Sequence, residues 1–221
     1  MSHFVTARQK MVDGQVRPSD VTDIRVIDAM LAVPREEYVP AELRQMAYLD
    51  IDLDLSEPGS RKRYLIKPVV LGRMLQAAEI NRTDNVLVVG CSSGYTAAVV
   101  SHLAVKVTAT ADDKALAAKA AALLASAAIS NVTFVSALAA SGYAANGLYD
   151  VIVLAGASEI VPTGLYQQLA AGGRLVGVSA IERPSRAVIV THSHDDFGSR
   201  PLFDATVPVL AGLERLPEFV F

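Results

Sequence analysis

The residues best suited to ligand chemistry form a short loop, Gly90-Cys91-Ser92-Ser93-Gly94-Tyr95. The loop follows an apolar run at 86–89 and precedes a segment of helical character, so it is predicted to join a strand to a helix. In a doubly wound α/β sheet, the turn after the first strand lies where ligands bind, and its glycines allow a close approach of the backbone. The spacing differs from the GxGxxG dinucleotide fingerprint, so the loop alone is equally consistent with a tight turn that binds nothing.

Two carboxylates further along the chain favour a nucleoside site at this loop. Asp112 and Asp113 follow the next apolar run, about 20 residues after Gly90, which is the offset at which an acidic side chain holds ribose hydroxyls. A third signal is the pair Gly172-Gly173, which is predicted to end a helix before another strand begins. Together these residues predict a ligand site at the carboxyl edge of a parallel sheet.

The elements that position these residues are predicted from apolar runs that alternate with helical stretches. Such runs are typical of parallel strands covered on both faces, which also explains why 52% of the chain is hydrophobic and only 19% is charged. Strands are expected at 86–89, 105–110, 132–135, 151–154 and 175–178, and helices at 95–103, 114–128 and 162–169. An edge hairpin is expected from 187–191 and 203–210, joined by the polar segment 192–200.

The first part of the chain has a different character, with prolines that punctuate short helices. A helix is predicted over 21–31, capped by Ser19 or Asp20, followed by a turn-rich connector at 51–63 and a helix that opens at Pro68. We therefore divide the chain into an N-terminal helical cap with connector, residues 1–66, and a core, residues 67–221, which together form one compact domain.

Charge and cysteine content exclude several classes of protein. A net charge of -3 argues against binding to nucleic acid or anionic lipid, which requires clustered Lys and Arg. With Cys91 as the only cysteine, no intrachain disulfide can form, and the first residues lack the apolar core of a signal peptide. Residues 85–105 carry no charged side chain, but the polar loop in their middle argues against a membrane span. The sequence predicts a cytoplasmic protein.

Two other chemistries are less favoured by the residue types present. The run His192-Ser193-His194-Asp195-Asp196 is predicted to be a solvated turn because it has no matching ligand cluster elsewhere, so no metal site is expected. Cys91 has no base near it in sequence, and it is predicted to line the ligand site as a small residue. No catalytic residue can be assigned from the sequence.

The order of these elements resembles the S-adenosylmethionine-dependent methyltransferase fold, a doubly wound, mostly parallel, seven-stranded Rossmann-like α/β sheet. The N-terminal half is similar to the start of the protein-L-isoaspartate O-methyltransferases. With the later motifs included, the resemblance to this family covers almost the whole chain. It is carried by Gln15-Val16-Arg17-Pro18, Val33-Pro34-Arg35-Glu36, Tyr38-Val39-Pro40, Tyr149-Asp150-Val151-Ile152-Val153 and Gly172-Gly173-Arg174-Leu175.

The resemblance implies an enzyme that transfers a methyl group from S-adenosylmethionine to an isoaspartyl carboxylate in damaged proteins, a repair reaction that leaves S-adenosylhomocysteine. It places the amino acid end of the cofactor at Gly90 to Tyr95, the ribose at Asp112 and the adenine at Ala137 and Leu138. The substrate side falls on Ile66, Lys67 and Pro68. The carboxylate nucleophile is already ionised at neutral pH, so no general base is required.

Five positions depart from the family's pattern at this implied site. Val88, Ala111 and Ala137 stand where the family has acids, Ser92 replaces the middle loop glycine, and Ile66 replaces a Ser or Thr. Two alternatives therefore stay open: a catalytically weakened member that senses a ligand or binds a protein, and a methyltransferase for another substrate. The sequence carries no signal for oligomeric state.

Overall fold

The computed structural model describes residues 3–91, 93–194 and 196–216. Its helices are α1 (His3–Met11), α2 (Ile24–Ala32), α3 (Pro68–Ala78), α4 (Tyr95–Ser101), α5 (Lys114–Ser126) and α6 (Thr163–Tyr166). Its strands are β1 (Leu53–Asp54), β2 (Tyr64–Leu65), β3 (Asn85–Val89), β4 (Lys106–Ala111), β5 (Val132–Ser136), β6 (Tyr149–Ser158), β7 (Leu169–Ser179), β8 (Arg186–Ser193) and β9 (Asp196–Asp204).

The main sheet has seven strands in the order β5-β4-β3-β6-β7-β8-β9, which confirms the predicted architecture. The first five strands are parallel, whereas β8 and β9 run antiparallel to their neighbours. The strand order reverses between β3 and β6, and ligands of doubly wound sheets bind outside the carboxyl ends of the strands at such a point. The short strands β1 and β2 form a separate antiparallel pair in the connector.

The core explains why the parallel strands are apolar throughout. Val86 and Val88 of β3 belong to a large apolar cluster shared with the N-terminal helices, whereas Leu87 and Val89 belong to a smaller cluster on the other face, shared with Leu165 of α6. Successive side chains of a strand point to opposite faces, so covering both faces requires a continuous apolar run rather than an alternating one.

The Gly172-Gly173 pair lies inside β7, so the predicted helix C-cap is wrong. Helix α6 already ends at Tyr166, and the pairing of β6 with β7 jumps from Tyr149↔Leu169 to Val151↔Arg174, which leaves a bulge in β7. A Cβ on Gly173 would lie 2.8 Å from the Ala170 carbonyl oxygen and 2.9 Å from that of Tyr149. The glycine is therefore required by the close approach of two backbones at the bulge.

The edge hairpin exists, but its turn lies earlier than predicted. Ser193 pairs with Asp196, so the polar segment expected to join the strands contributes to both of them. A strand at the edge of a sheet is partly solvated and needs no apolar pattern, so the polar residues of this segment do not distinguish a strand from a loop. Asp195 lies outside the described residues. Most of the predicted strand at 203–210 belongs instead to a segment we name the strap, residues 205–213, in which Val209 bridges to Ala157 of β6.

Two details of the helices differ from the prediction as well. Helix α2 begins at Ile24, and its cap is Asp23, whose side chain accepts a hydrogen bond from the Arg25 backbone amide, rather than Ser19 or Asp20. Helix α6 spans only four residues of the longer helix expected at 162–169. Among the helices in the described ranges, none combines the length and the apolar character needed to cross a bilayer.

Candidate active site

A cleft opens at the carboxyl ends of β3, β4 and β6, at the point where the strand order reverses. It brings together Gly90, Asp112 and Ala137, which the sequence predicted to share a site. The remaining lining residues are cationic, aromatic or aliphatic: Lys62, Arg63, Tyr64, Ala111, Ala139, Ala155, Pro208, Leu210 and Ala211. The position and the mixed lining are those expected for an adenosine-bearing ligand.

The glycine loop, residues 90–95, is held against the end of β4 by hydrogen bonds from its backbone amides. The Cys91 amide donates to the Thr110 carbonyl over 2.8 Å, and the Gly90 amide donates to the Thr110 hydroxyl over 3.2 Å. Gly90 and Gly94 have φ values of 75° and 90°, a region that favours glycine. Ser92 was predicted to be part of this site and lies outside the described residues. The loop therefore presents its backbone at Gly90 directly to the cleft.

The strap covers one side of the cleft through Leu210, a residue that sequence reasoning missed. The Leu210 amide donates to the Ala157 carbonyl, and the Ala157 amide donates to the Pro208 carbonyl, both over 2.9 Å. A Cβ on Gly90 would lie 2.4 Å from Leu210 Cδ2, and one on Gly156 would lie 2.8 Å from the same atom. The absence of side chains at both glycines is what admits Leu210.

Asp112 lines the cleft, and its carboxylate is engaged by two arginines from the connector. Arg63 donates from Nε over 2.9 Å and from Nη2 over 3.2 Å, and Arg61 Nη1 lies 3.4 Å away. These contacts use three of the roughly four acceptor sites of a carboxylate, with Oδ1 accepting from Arg63 alone. Asp113 instead caps α5, where it accepts from the amides of Ala115 and Leu116, which lowers its pKa.

The predicted substrate-side residues lie beside the cleft rather than in its lining. The Ile66 side chain is buried, and its carbonyl accepts a hydrogen bond from Arg35 Nη2 over 2.8 Å. The Lys67 amide donates to Asp52, and its ammonium lies 3.8 Å from the same carboxylate. Pro68 opens α3. Leu138 is half exposed, and it too is absent from the lining, unlike its neighbour Ala137.

Comparison with known proteins places this chain. Residues 6–197 match the model of the protein-L-isoaspartate(D-aspartate) O-methyltransferase family, which is most of the chain. The chain belongs to this family. A Rhodopseudomonas palustris (strain HaA2) relative, protein-L-isoaspartate O-methyltransferase 1, is 37% identical over 96% of this chain and 85% of its own length. A Roseiflexus sp. (strain RS-1) protein-L-isoaspartate O-methyltransferase is 33% identical over 97% of this chain and 99% of its own length.

Solved structures of the family share the fold. One protein-L-isoaspartate O-methyltransferase matches with a TM-score of 0.80 and 22% identity over 93% of this chain, which spans 66% of that longer chain. A putative Plasmodium falciparum protein-L-isoaspartate O-methyltransferase, solved in complex with S-adenosyl-L-homocysteine, matches with a TM-score of 0.72 and 17% identity over 96% of this chain and 99% of that one.

A second residue missed by sequence reasoning is Arg35, in one of the motifs that carry the family resemblance. Its side chain is fully buried and donates from Nε to the Ala47 carbonyl over 2.7 Å and from Nη2 to the Ile66 carbonyl. The guanidinium carbon lies 4.7 Å from the centre of the Tyr95 ring, so the aromatic face provides a further partner for the charge. Arg35 thereby connects the N-terminal cap to the substrate-side segment and the glycine loop of this methyltransferase fold.

Cys91 is turned away from the cleft. Its Sγ accepts a hydrogen bond from the Ala97 amide over 3.4 Å, and the residue does not belong to the cleft lining, contrary to the prediction that it lines the site. Burial raises the pKa of the thiol to about 11. A thiol rather than a thiolate is present at neutral pH, so Cys91 is unsuited to nucleophilic chemistry.

We therefore expect the folded protein to resist alkylation. At pH 8, iodoacetamide should leave Cys91 unmodified over a time in which the urea-unfolded chain reacts completely, as measured by intact mass. Cys91→Ser should retain the ligand affinity of the unchanged protein. Rapid modification of the folded chain would contradict the buried, protonated state.

The His192 side chain, in β8 near the hairpin turn, is held by contacts within the fold. His192 Nδ1 lies 3.1 Å from the Leu169 carbonyl oxygen and 3.0 Å from that of Ala170, and its ring stacks on Phe197. Within the described ranges no three His, Cys, Asp or Glu side chains are grouped as a metal ion would require.

Proposed function

We propose that this chain is an S-adenosylmethionine-dependent methyltransferase that modifies the isoaspartyl carboxylate of damaged proteins. The observation that carries the proposal is the cleft at the reversal of strand order, where Gly90, Asp112 and Ala137 meet. The names of the two curated relatives, which align over nearly the whole chain, support the same activity. The protein substrate would approach across the connector, on the side of Ile66, Lys67 and Pro68.

The residues present fit the cofactor at three points. The backbone at Gly90, with the loop through Tyr95, would hold the amino acid end, and Asp112 Oδ1 retains an acceptor site for a ribose hydroxyl. The alanines at 111, 137, 139 and 155 line the cleft, and their small apolar side chains suit the flat adenine. Leu210 lies over Gly90, so its flexible side chain would rotate aside to admit the ligand.

The bound cofactor would supply an electrophilic methyl group on a sulfonium. The chain need not supply a base, because a carboxyl group with a pKa near 4 is already ionised at neutral pH. Its contribution is to hold the two reactants in line and to keep water out, and positioning of this kind can lower a barrier by several kcal/mol. The parts suited to these two tasks are the strap, which carries Leu210, and the cationic side chains that line the cleft, Lys62 and Arg63.

Two of the positions that depart from the family pattern, Val88 and Ala111, are buried apolar residues. Val88 is fully buried between Ala109 and Val153 of the neighbouring strands, and Ala111 is nearly so. The cofactor would therefore bind with fewer polar partners, each worth about 1 kcal/mol. This favours a lower cofactor affinity than an acid-lined site would give, and it leaves the sensing role as the second candidate.

Two measurements test the proposal. Calorimetric titration with S-adenosylhomocysteine should show one site, and labelled S-adenosylmethionine should transfer its methyl group to an isoaspartyl peptide but not to the matched aspartyl peptide. Binding without transfer to either peptide would favour the sensing role or another substrate. No binding at millimolar ligand would overturn both enzyme hypotheses.

A further inference from the structure

The cleft needs a partner for an anionic substrate, and the position expected to provide one cannot do so. Ile66 has no hydroxyl, its side chain is buried, and its carbonyl is bound by Arg35. Its neighbours are no better placed: the Lys67 ammonium faces Asp52 outside the cleft lining, and Pro68 has no N–H. A substrate carboxylate must therefore be recognised by a different group.

Arg63 has the geometry for this task. Its side chain is only 16% exposed, lines the cleft together with Gly90, and is held by Asp112 through Nε and Nη2. Nη1 donates to the Arg61 carbonyl over 3.2 Å. These described contacts use three of the five guanidinium N–H donors, which leaves one N–H on each terminal nitrogen to bind two carboxylate oxygens.

The other cations near the cleft, Lys62 and Arg61, are less suited than Arg63 to bind the substrate carboxylate. Lys62 lines the cleft, but its side chain is 68% exposed and is paired with Asp54 at 2.5 Å. Arg61 is 53% exposed and makes one 3.4 Å contact with Asp112. A partly buried guanidinium held by Asp112 loses less entropy on binding and acts in a lower dielectric than these exposed side chains.

We propose that Arg63 is the receptor for the substrate carboxylate, an inference that rests on the proposed function. The cluster of Arg61, Arg63 and Asp112 carries two positive charges and one negative charge, so an anion entering the cleft neutralises the excess. Methylation converts the carboxylate to an uncharged ester, which no longer pairs with Arg63. The same residue therefore favours binding of the substrate and release of the product.

The test compares Arg63→Gln and Arg63→Lys with the unchanged protein, using a fluorescent isoaspartyl peptide in the presence of S-adenosylhomocysteine. Fluorescence anisotropy should show the peptide Kd rising about 10- to 100-fold in Arg63→Gln, the range for a lost hydrogen bond to a charged group. Arg63→Lys should lose less because it keeps the charge. The affinity for the peptide methyl ester and for S-adenosylhomocysteine should change little in both variants.

Arg186→Gln is the matched control, since this guanidinium also donates from Nε to a carboxylate, that of Asp204, but lies outside the cleft lining; the variant should leave peptide affinity unchanged. An unaltered peptide Kd in Arg63→Gln would overturn the proposal. So would an equal loss of peptide and S-adenosylhomocysteine binding with a lower Tm, because Arg63 would then only tether the connector to β4. If the unchanged protein does not bind the isoaspartyl peptide, the proposed function is wrong, and so is the assignment of Arg63.

Discussion

Gly90→Ala is expected to weaken S-adenosylhomocysteine binding by about 100-fold, equivalent to about 3 kcal/mol. The residue has a φ of 75°, where a side chain is strained, and the new Cβ would lie 2.4 Å from Leu210 Cδ2. Leu210 can yield, but the Cβ would still occupy the surface that the cofactor must approach. Calorimetric titration measures the loss, and far-UV circular dichroism verifies the fold.

The effect of backbone strain at Gly90 can be separated from the effect of blocking the cofactor's approach to the backbone. Gly147 has a similar φ of 93°, and a Cβ there would lie in open space. Gly147→Ala should therefore lower the stability of the fold without changing ligand affinity. Leu210→Ala should tighten binding because it clears the cleft, and combining it with Gly90→Ala should leave most of the loss in place. Full recovery in the double variant would mean that Leu210, rather than backbone approach, controls affinity.

The fold could be predicted from sequence where one physical rule determines the pattern. Strand β3 had to be apolar from Val86 to Val89 because both faces are covered there, and the two glycines after it had to form the turn. The bulge at Gly173 follows no such local rule. Its requirement for glycine comes from the Ala170 and Tyr149 carbonyls, and the latter belongs to another strand.

The candidate site was predictable only in its backbone. That Gly90 and Asp112 share an edge follows from parallel topology, but the engagement of Asp112 by Arg63 joins residues 49 apart across the connector. Leu210 belongs to a segment whose apolar residues suggested a strand, because an apolar pattern does not distinguish a strand from a strap over a cleft. Side chains that arrive from distant segments therefore decide the chemistry without leaving a sequence signal.

Arg35→Leu is expected to destabilise the fold by about 3–5 kcal/mol. The substitution leaves the Ala47 and Ile66 carbonyls buried without their donors, at about 1–3 kcal/mol each, and it opens space beside Tyr95. The loss is partly offset because a desolvated charge is also removed, and burial already lowers the pKa of this guanidinium. Urea denaturation should show a lower midpoint at an unchanged m-value.

Arg44→Leu is the matched control, since this arginine is exposed and its side chain makes no hydrogen bond within the described residues; it should shift the midpoint only slightly. The urea midpoint of Arg35→Lys should lie between those of Arg35→Leu and Arg44→Leu, because an ammonium can reach one of the two carbonyls but cannot span both. Because Arg35 holds the Ile66 backbone, the lysine variant should also raise the KM for an isoaspartyl peptide. An unchanged KM alongside lower stability would confine Arg35 to supporting the fold.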